Sequence, residues 1–279
     1  MAFNDDFSGS MIDFPDYKTE EISALKVTPI IFMIDISQSM NGRKIEIVNT
    51  TMEEIVNELG CFNSSDSEIR FAVLSFGTNC TWETGDSGLI PCDGIWKNLE
   101  ADGLTYFNTA CRELNYKLSG SHGFFNFAAG RTITPPVLIL LTDGYANDGN
   151  YSPNSKDGMN GTNGDNGIAE LKKNRYFNGS FRIAVAIGEG ANDELCENFT
   201  GDKELVYHTY NAKVLRTILK TVVKTSVSVS SSGISQAGFS DFQPDETVPC
   251  TKPLKDGINN ELEAYNLEDF NLKDKGDWD

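Results

Sequence analysis

Residues 30–35 read Ile-Ile-Phe-Met-Ile-Asp, and Ile-Ser-Gln-Ser follows at 36–39. An unbroken apolar run of this length, rich in β-branched side chains, fits a strand covered on both faces, the kind found in a parallel sheet flanked by helices. The run stops at a carboxylate, and hydroxyls follow at alternate positions. Asp35, Ser37 and Ser39 are hard oxygen donors with no imidazole or thiolate among them. Such a set suits Mg²⁺, Mn²⁺ or Ca²⁺ rather than zinc.

A second apolar run, residues 136–142, ends the same way at Asp143, with Gly144 allowing a sharp turn after it. Between the two lies the polar stretch 103–108, which leads into a helix whose apolar positions Phe107, Ala110, Cys111, Leu114 and Leu118 keep helical spacing. Thr105 supplies a third candidate hydroxyl. The rest of the chain continues the alternation. A helix is expected over 43–59, strands over 69–76 and 80–83, a helix over 167–177, a strand over 181–187, a helix over 193–199, a strand over 204–208 and a helix over 212–224. Strand and helix in turn call for right-handed crossovers and a doubly wound, mostly parallel α/β sheet.

These residues resemble the von Willebrand factor A domain and its metal-ion-dependent adhesion site, whose pattern is Asp-x-Ser-x-Ser, a loop threonine and a later aspartate. The resemblance covers residues 26–225 and implies a metal site made of Asp35, Ser37, Ser39, Thr105 and Asp143. It also implies the strand order 3-2-1-4-5-6, with the two aspartate-ending strands side by side at the point where such sheets bind ligands. Within that superfamily, Ile-Asp-Ile-Ser-Gln-Ser-Met-Asn-Gly (34–42) and Leu-Leu-Thr-Asp-Gly (140–144) are most similar to the bacterial tellurium-resistance proteins of the TerY type. That likeness implies kinase-like and phosphatase-like protein partners and a stress-response setting. Gln38 stands where glycine is common, and Leu104 replaces the second glycine often found before the threonine. Neither change removes a ligand oxygen.

At 279 residues the chain accommodates one large domain with flanking parts: an N-terminal segment (1–25), the domain (26–225), and a serine-rich linker with an acidic tail (226–279). The 23 basic and 41 acidic residues leave a formal charge of −18, a field that repels nucleic acid and anionic membrane. Residues 234–279 carry eleven acids against four lysines, yet they also hold Phe239, Phe242, Leu262, Tyr265, Leu267, Phe270, Leu272 and Trp278. Part of this tail is expected to dock. With no stretch near a membrane span of ~20 apolar residues and no basic-then-apolar leader, a cytoplasmic location is expected. The six cysteines form no Cys-x-x-Cys pair, and in a reducing interior Cys80 and Cys92 are expected to remain thiols. The polar stretch 145–166 reads as a surface loop beside the metal site.

The chemistry that this pattern excludes is as informative as what it allows. Dehalogenase-type phosphatases also begin with a strand-end aspartate, but they need an acid/base carboxylate two residues later, where Ser37 stands. His122 and His208 are isolated from any nucleophile, and the glycine-rich residues 157–167 lack a lysine-serine ending for a phosphate cradle. A structural module with a non-functional site predicts lost ligand oxygens, and none is lost. The reading that remains is a non-enzymatic, metal-dependent protein-binding module. Mg²⁺ is the favoured cation, with Mn²⁺ or Ca²⁺ as alternatives, and the captured group is an aspartate or glutamate carboxylate of a partner. The tail of a neighbouring copy, with Asp277 and Asp279, is a second source of that acid.

Overall fold

The first apolar run lies inside a longer strand, β1 (Leu25–Asp35). The computed structural model describes residues 25–65, 67–86, 88–91, 96–126, 131–148, 166–188, 190–209, 211–231 and 251–264. After β1 the strands are β2 (Ser67–Phe76), β3 (Cys80–Trp82), β4 (Ile90–Pro91), β5 (Arg131–Ile133), β6 (Val137–Thr142), β7 (Phe181–Ile187) and β8 (Val206–Thr209). The helices are α1 (Arg43–Leu59), α2 (Phe107–Lys117), α3 (Gly167–Leu171), α4 (Arg175–Asn178), α5 (Asp193–Thr200), α6 (Ala212–Ser231) and α7 (Thr251–Ala264).

The strands form one sheet in the order β3-β2-β1-β6-β7-β8, with β4 beside β2 and β5 beside β1. Pairing is parallel except at the β2–β3 edge and between β2 and β4. This is the expected doubly wound arrangement, and it makes β1 and β6 direct neighbours, with Ile34 opposite Leu141. The two aspartates that follow these runs are therefore brought to one end of the sheet. Because side chains alternate along a strand, β1 feeds two cores. Ile30, Phe32 and Ile34 pack with α1 and α6, while Ile31 and Met33 pack with α2, α5 and Phe177 of α4.

Pro29 lies within central β1, where a missing N–H would normally break the ladder. Its place explains the tolerance: β5 pairs with β1 only through Val27 and β6 only from Ile30, so Pro29 falls in the gap where the neighbouring strand changes. Neither β4 nor β5 is expected from sequence, because strands of two or three residues are too short to show an alternating pattern. The single helix expected over 167–177 is divided into α3 and α4, because the side chain of Asn174 accepts from the amides of Tyr176 and Phe177 and starts a new helix.

The serine-rich segment departs from the linker expectation, since α6 continues through Ser231. The Ser226 hydroxyl, buried, donates to the Val222 carbonyl 2.6 Å away, so it bonds within the helix instead of competing with it. Helix α7 then packs on α6, placing Ile258 in the same apolar cluster as Leu215, Ile218, Leu219 and Val222. Lys255 of α7 bonds to Asp202 and, at 2.7 Å, to Glu204. Among the described side chains of α7, the docking one is thus Ile258. Phe239, Phe242, Tyr265, Leu267, Phe270, Leu272 and Trp278 lie outside the described residues, as do Cys92, Cys250 and residues 149–165 of the expected surface loop. Cys61, Cys80, Cys111 and Cys196 are free thiols.

With Ile258 as the one fully buried apolar side chain among those described in α7, the helix should open more readily than the central strands. Amide exchange is expected to be faster across Thr251–Ala264 than across β1, and Ile258→Ala should abolish the remaining protection of α7 while leaving that of β1 unchanged. Equal protection of α7 and β1 would show that the helix belongs to the global folding unit.

Candidate functional site

Asp35 ends β1 and is fully buried, and Asp143, immediately after β6, is 2 % exposed. Both carboxylates are held by short hydrogen bonds. Asp35 Oδ1 accepts from the Ser37 amide at 2.8 Å, and its Oδ2 accepts from the Thr142 hydroxyl at 2.7 Å. Asp143 Oδ1 accepts from the Ser39 hydroxyl at 2.7 Å, while the Ser39 and Ser37 hydroxyl oxygens are 3.0 Å apart. One continuous chain of contacts therefore joins Asp35, Ser37, Ser39 and Asp143.

Local backbone geometry produces this chain. Ser37 is extended, residues Gln38–Met40 make a single 3₁₀ turn, and fully buried Met40 anchors that turn in the core. The turn brings both serine hydroxyls toward the strand ends, with Ser37 buried and Ser39 exposed at the mouth.

Thr105 belongs to the next loop and is 4 % exposed. Its backbone is clamped to Asn147, four residues beyond Asp143: the Thr105 amide donates to Asn147 Oδ1 at 2.8 Å, and the Asn147 amide donates to the Thr105 carbonyl at 2.7 Å. The same loop is tied to the serine turn, because the Gln38 amide donates to the Gly103 carbonyl at 3.0 Å. Gly103 is required there. Its φ is +79°, and a Cβ would lie 2.2 Å from the Thr78 hydroxyl oxygen. Leu104, 47 % exposed, points into solvent, as does Tyr145, two residues after Asp143. The five sequence-expected ligand residues thus come from three loops at one end of the sheet, four of them linked by hydrogen bonds and Thr105 held beside them through Asn147.

Four further residues shape the site, none of them among the sequence-expected ligands. Thr142 orients Asp35. Asn147 clamps the Thr105 loop. Asp148 accepts from the amides of Asn108 and Thr109 at 3.0 and 2.9 Å, capping α2 from across the site in place of a local N-cap. Lys44, in the first turn of α1, donates to Asp143 Oδ2 at 2.6 Å and to the Ser39 carbonyl at 3.2 Å. Only Thr142 had a sequence signal, as the hydroxyl adjoining Asp143. The others act across 40 to 99 residues of chain, beyond the reach of any local spacing rule.

Burial pushes the Asp35 carboxyl up to about 6; its hydrogen bonds from Ser37 and Thr142 oppose that rise, and the negative charge of Asp143 adds to it. Among the described residues no three or more His, Cys, Asp or Glu cluster as a metal site. His208 pairs with Asp193 at 3.2 Å and His122 bonds to Ser121 at 2.8 Å.

The raised Asp35 value fixes a sign for stability. Between the ordinary carboxyl value of 3.8 and about 6, the unfolded chain releases its proton first, so this residue's contribution falls as pH rises and levels off above about 6. In EDTA, the difference in unfolding free energy between wild type and Asp35→Asn should therefore shift in favour of Asn by on the order of 3 kcal/mol from pH 4 to pH 7. A difference that does not change with pH would contradict the burial argument.

The sequence profile of the von Willebrand factor type A domain matches residues 30–224. No curated protein sequence matches the chain. Among solved structures, the vWF domain of the type V pilus tip protein Mfa5 from Porphyromonas gingivalis aligns with 72% of this chain and 95% of its own, at 9% identity and a TM-score of 0.52. The pilus adhesin SpaC from Lactobacillus rhamnosus GG, in an open conformation, aligns with 73% of this chain and 30% of its own, at 14% identity and a TM-score of 0.51. Proximal thread matrix protein 1 from the mussel byssus, with a zinc-occupied MIDAS motif, aligns with 72% of this chain at 21% identity and a TM-score of 0.48. The chain spans about half the length of that mussel protein, 48% of it. With the profile matched over 30–224, well over half of its length, the chain belongs to the von Willebrand factor type A domain family.

Proposed function

We propose that the cleft at the ends of β1 and β6 is a divalent-cation site through which the domain, residues 26–225, captures a carboxylate of a partner protein. The observation that carries this reading is the continuous hydrogen-bonded chain of oxygen donors from Asp35 through Ser37 and Ser39 to Asp143. Hard oxygens only, two of them anionic carboxylates out of water, fit Mg²⁺ best, with Mn²⁺ or Ca²⁺ as alternatives. Asp35 and Asp143 supply negative charge, and Ser37, Ser39 and Thr105 supply neutral oxygens. A cation bound to so few full charges keeps a strong attraction for another anionic oxygen, and a partner aspartate or glutamate provides one.

The chain's own groups prepare that encounter. Thr142 and the Ser37 amide hold Asp35 in one orientation, Asn147 holds the Thr105 loop beside the serines, and Leu104 and Tyr145 offer exposed apolar surface to residues flanking the captured acid. The acidic composition argues against nucleic acid and anionic membrane as partners. No helix among the described residues is long and apolar enough to cross a membrane. The tellurium-resistance likeness, with its kinase-like or phosphatase-like partners and stress-response setting, rests on the motif residues alone. A non-enzymatic role fits Ser37 in the place of an acid/base carboxylate.

Three measurements test the reading. Millimolar Mg²⁺ should raise the melting temperature of metal-stripped protein, with a gain of about 2.7 kcal/mol at 100 times the dissociation constant, and Asp35→Ala should remove the gain. Identical melting curves with and without cation would reject the site. A partner retained in Mg²⁺ should be released by EDTA, weakened by Thr105→Ala, and dependent on a single partner acid; retention in EDTA by a partner stripped of interfacial acids would reject carboxylate capture. Purified protein should not turn over p-nitrophenyl phosphate, and metal-dependent hydrolysis lost in Asp35→Asn would replace the binding role with a catalytic one.

A further inference from the structure

We infer that Lys44 is an internal competitor of the divalent cation, its ammonium bound to Asp143 so that it lowers the site's cation affinity while keeping the loaded site net positive. The inference rests on the cation-site reading and adds to it a residue outside the five-ligand set. Lys44 Nζ lies 2.6 Å from Asp143 Oδ2 and 3.2 Å from the Ser39 carbonyl, so it touches two of the proposed ligand residues.

This is not a surface ion pair. The Asp143 side chain is 0% exposed and that of Lys44 21%, so water and salt screen the pair poorly. The end of β7 lines the seat of the lysine at ordinary contact distance. Gly188, just beyond β7 at φ +80°, faces the end of the chain, and a Cβ built there would sit 3.5 Å from Lys44 Cε and 3.6 Å from Nζ. The stem of Lys44 therefore runs between the first turn of α1 and the end of β7, toward the carboxylate.

Charge decides the consequence. Asp35 and Asp143 together with Lys44 leave the described site one negative charge, whereas the same site without the ammonium carries two. A divalent cation arriving beside Asp143 meets a like charge within a few ångströms in a poorly screened setting, which weakens its binding. Once it is in place, the retained ammonium leaves the site with one positive charge instead of none. Lys44 thereby trades cation affinity for attraction toward a carboxylate. A lysine that merely fixed the Asp143 rotamer would have the opposite effect on cation affinity.

Calorimetric titration of full-length protein with MgCl₂ separates these roles. Lys44→Met, which keeps most of the stem and removes the charge, should bind Mg²⁺ about tenfold or more tightly than wild type and melt at a lower temperature in EDTA. Lys44→Arg should stay near wild type, and Lys44→Met should gain nothing in an Asp143→Asn background. Lys44→Gln serves the same comparison if the methionine variant does not fold in EDTA. If wild type binds Mg²⁺, Asp35→Ala does not, and neutralising Lys44 leaves affinity unchanged or weaker, the competitor role is wrong while the cation site stands. If neither wild type nor the Lys44 variants bind any cation, the site reading fails and this inference with it.

Discussion

Two carboxylates stand almost wholly out of water at the ends of adjacent parallel strands, and the rest of this site answers the cost of keeping them there. A buried carboxylate without hydrogen bonds or counter-charge is far more costly than one in water. Asp35 meets that cost with a backbone amide and the Thr142 hydroxyl, and even so its proton is held up to about 6. Asp143 meets it with the Ser39 hydroxyl and the Lys44 ammonium. The two solutions differ in kind: one is dipolar and local, the other is a full charge brought from a helix 99 residues away in sequence.

The sheet topology makes the pairing unavoidable. Chain order reverses between β1 and β6, so the helices after them leave toward opposite faces and open a crevice at the carboxyl ends. Three loops fill its rim, and each is fastened to the next: the serine turn to Gly103, the Thr105 loop to Asn147, and the segment after β6 to the start of α2 through Asp148. A rim braced in this way holds hydroxyl oxygens in place without a cation to organise them. It also leaves Leu104 and Tyr145 exposed to solvent.

Much of the fold was legible because its signals are local. The β1 and β6 runs are apolar and β-branched, α1 and α2 show apolar positions at helical spacing, and the five ligand residues occur in motif order. Where the reading went astray, a longer-range contact had overruled a local tendency. The serine run after residue 225 looked like a linker, but Ser226 bonds back to Val222 and the packing of α7 on α6 makes continued helix the favourable state. Asn174 divides a stretch that apolar spacing had joined, because its side chain caps the second helix.

From its residues alone, this chain determines a doubly wound parallel sheet and a set of hard oxygen donors at two strand ends, since hydrophobic runs and ligand types are properties of neighbouring residues. Tertiary structure alone decides that Lys44 faces Asp143, that Asn147 and Asp148 brace the Thr105 loop and α2, and that Ile258 joins a core built mostly from residues before Val223 among those described. The reason is physical. Burial and charge pairing depend on which atoms the completed sheet brings within a few ångströms, and separation along the chain carries no record of that distance until the sheet has formed.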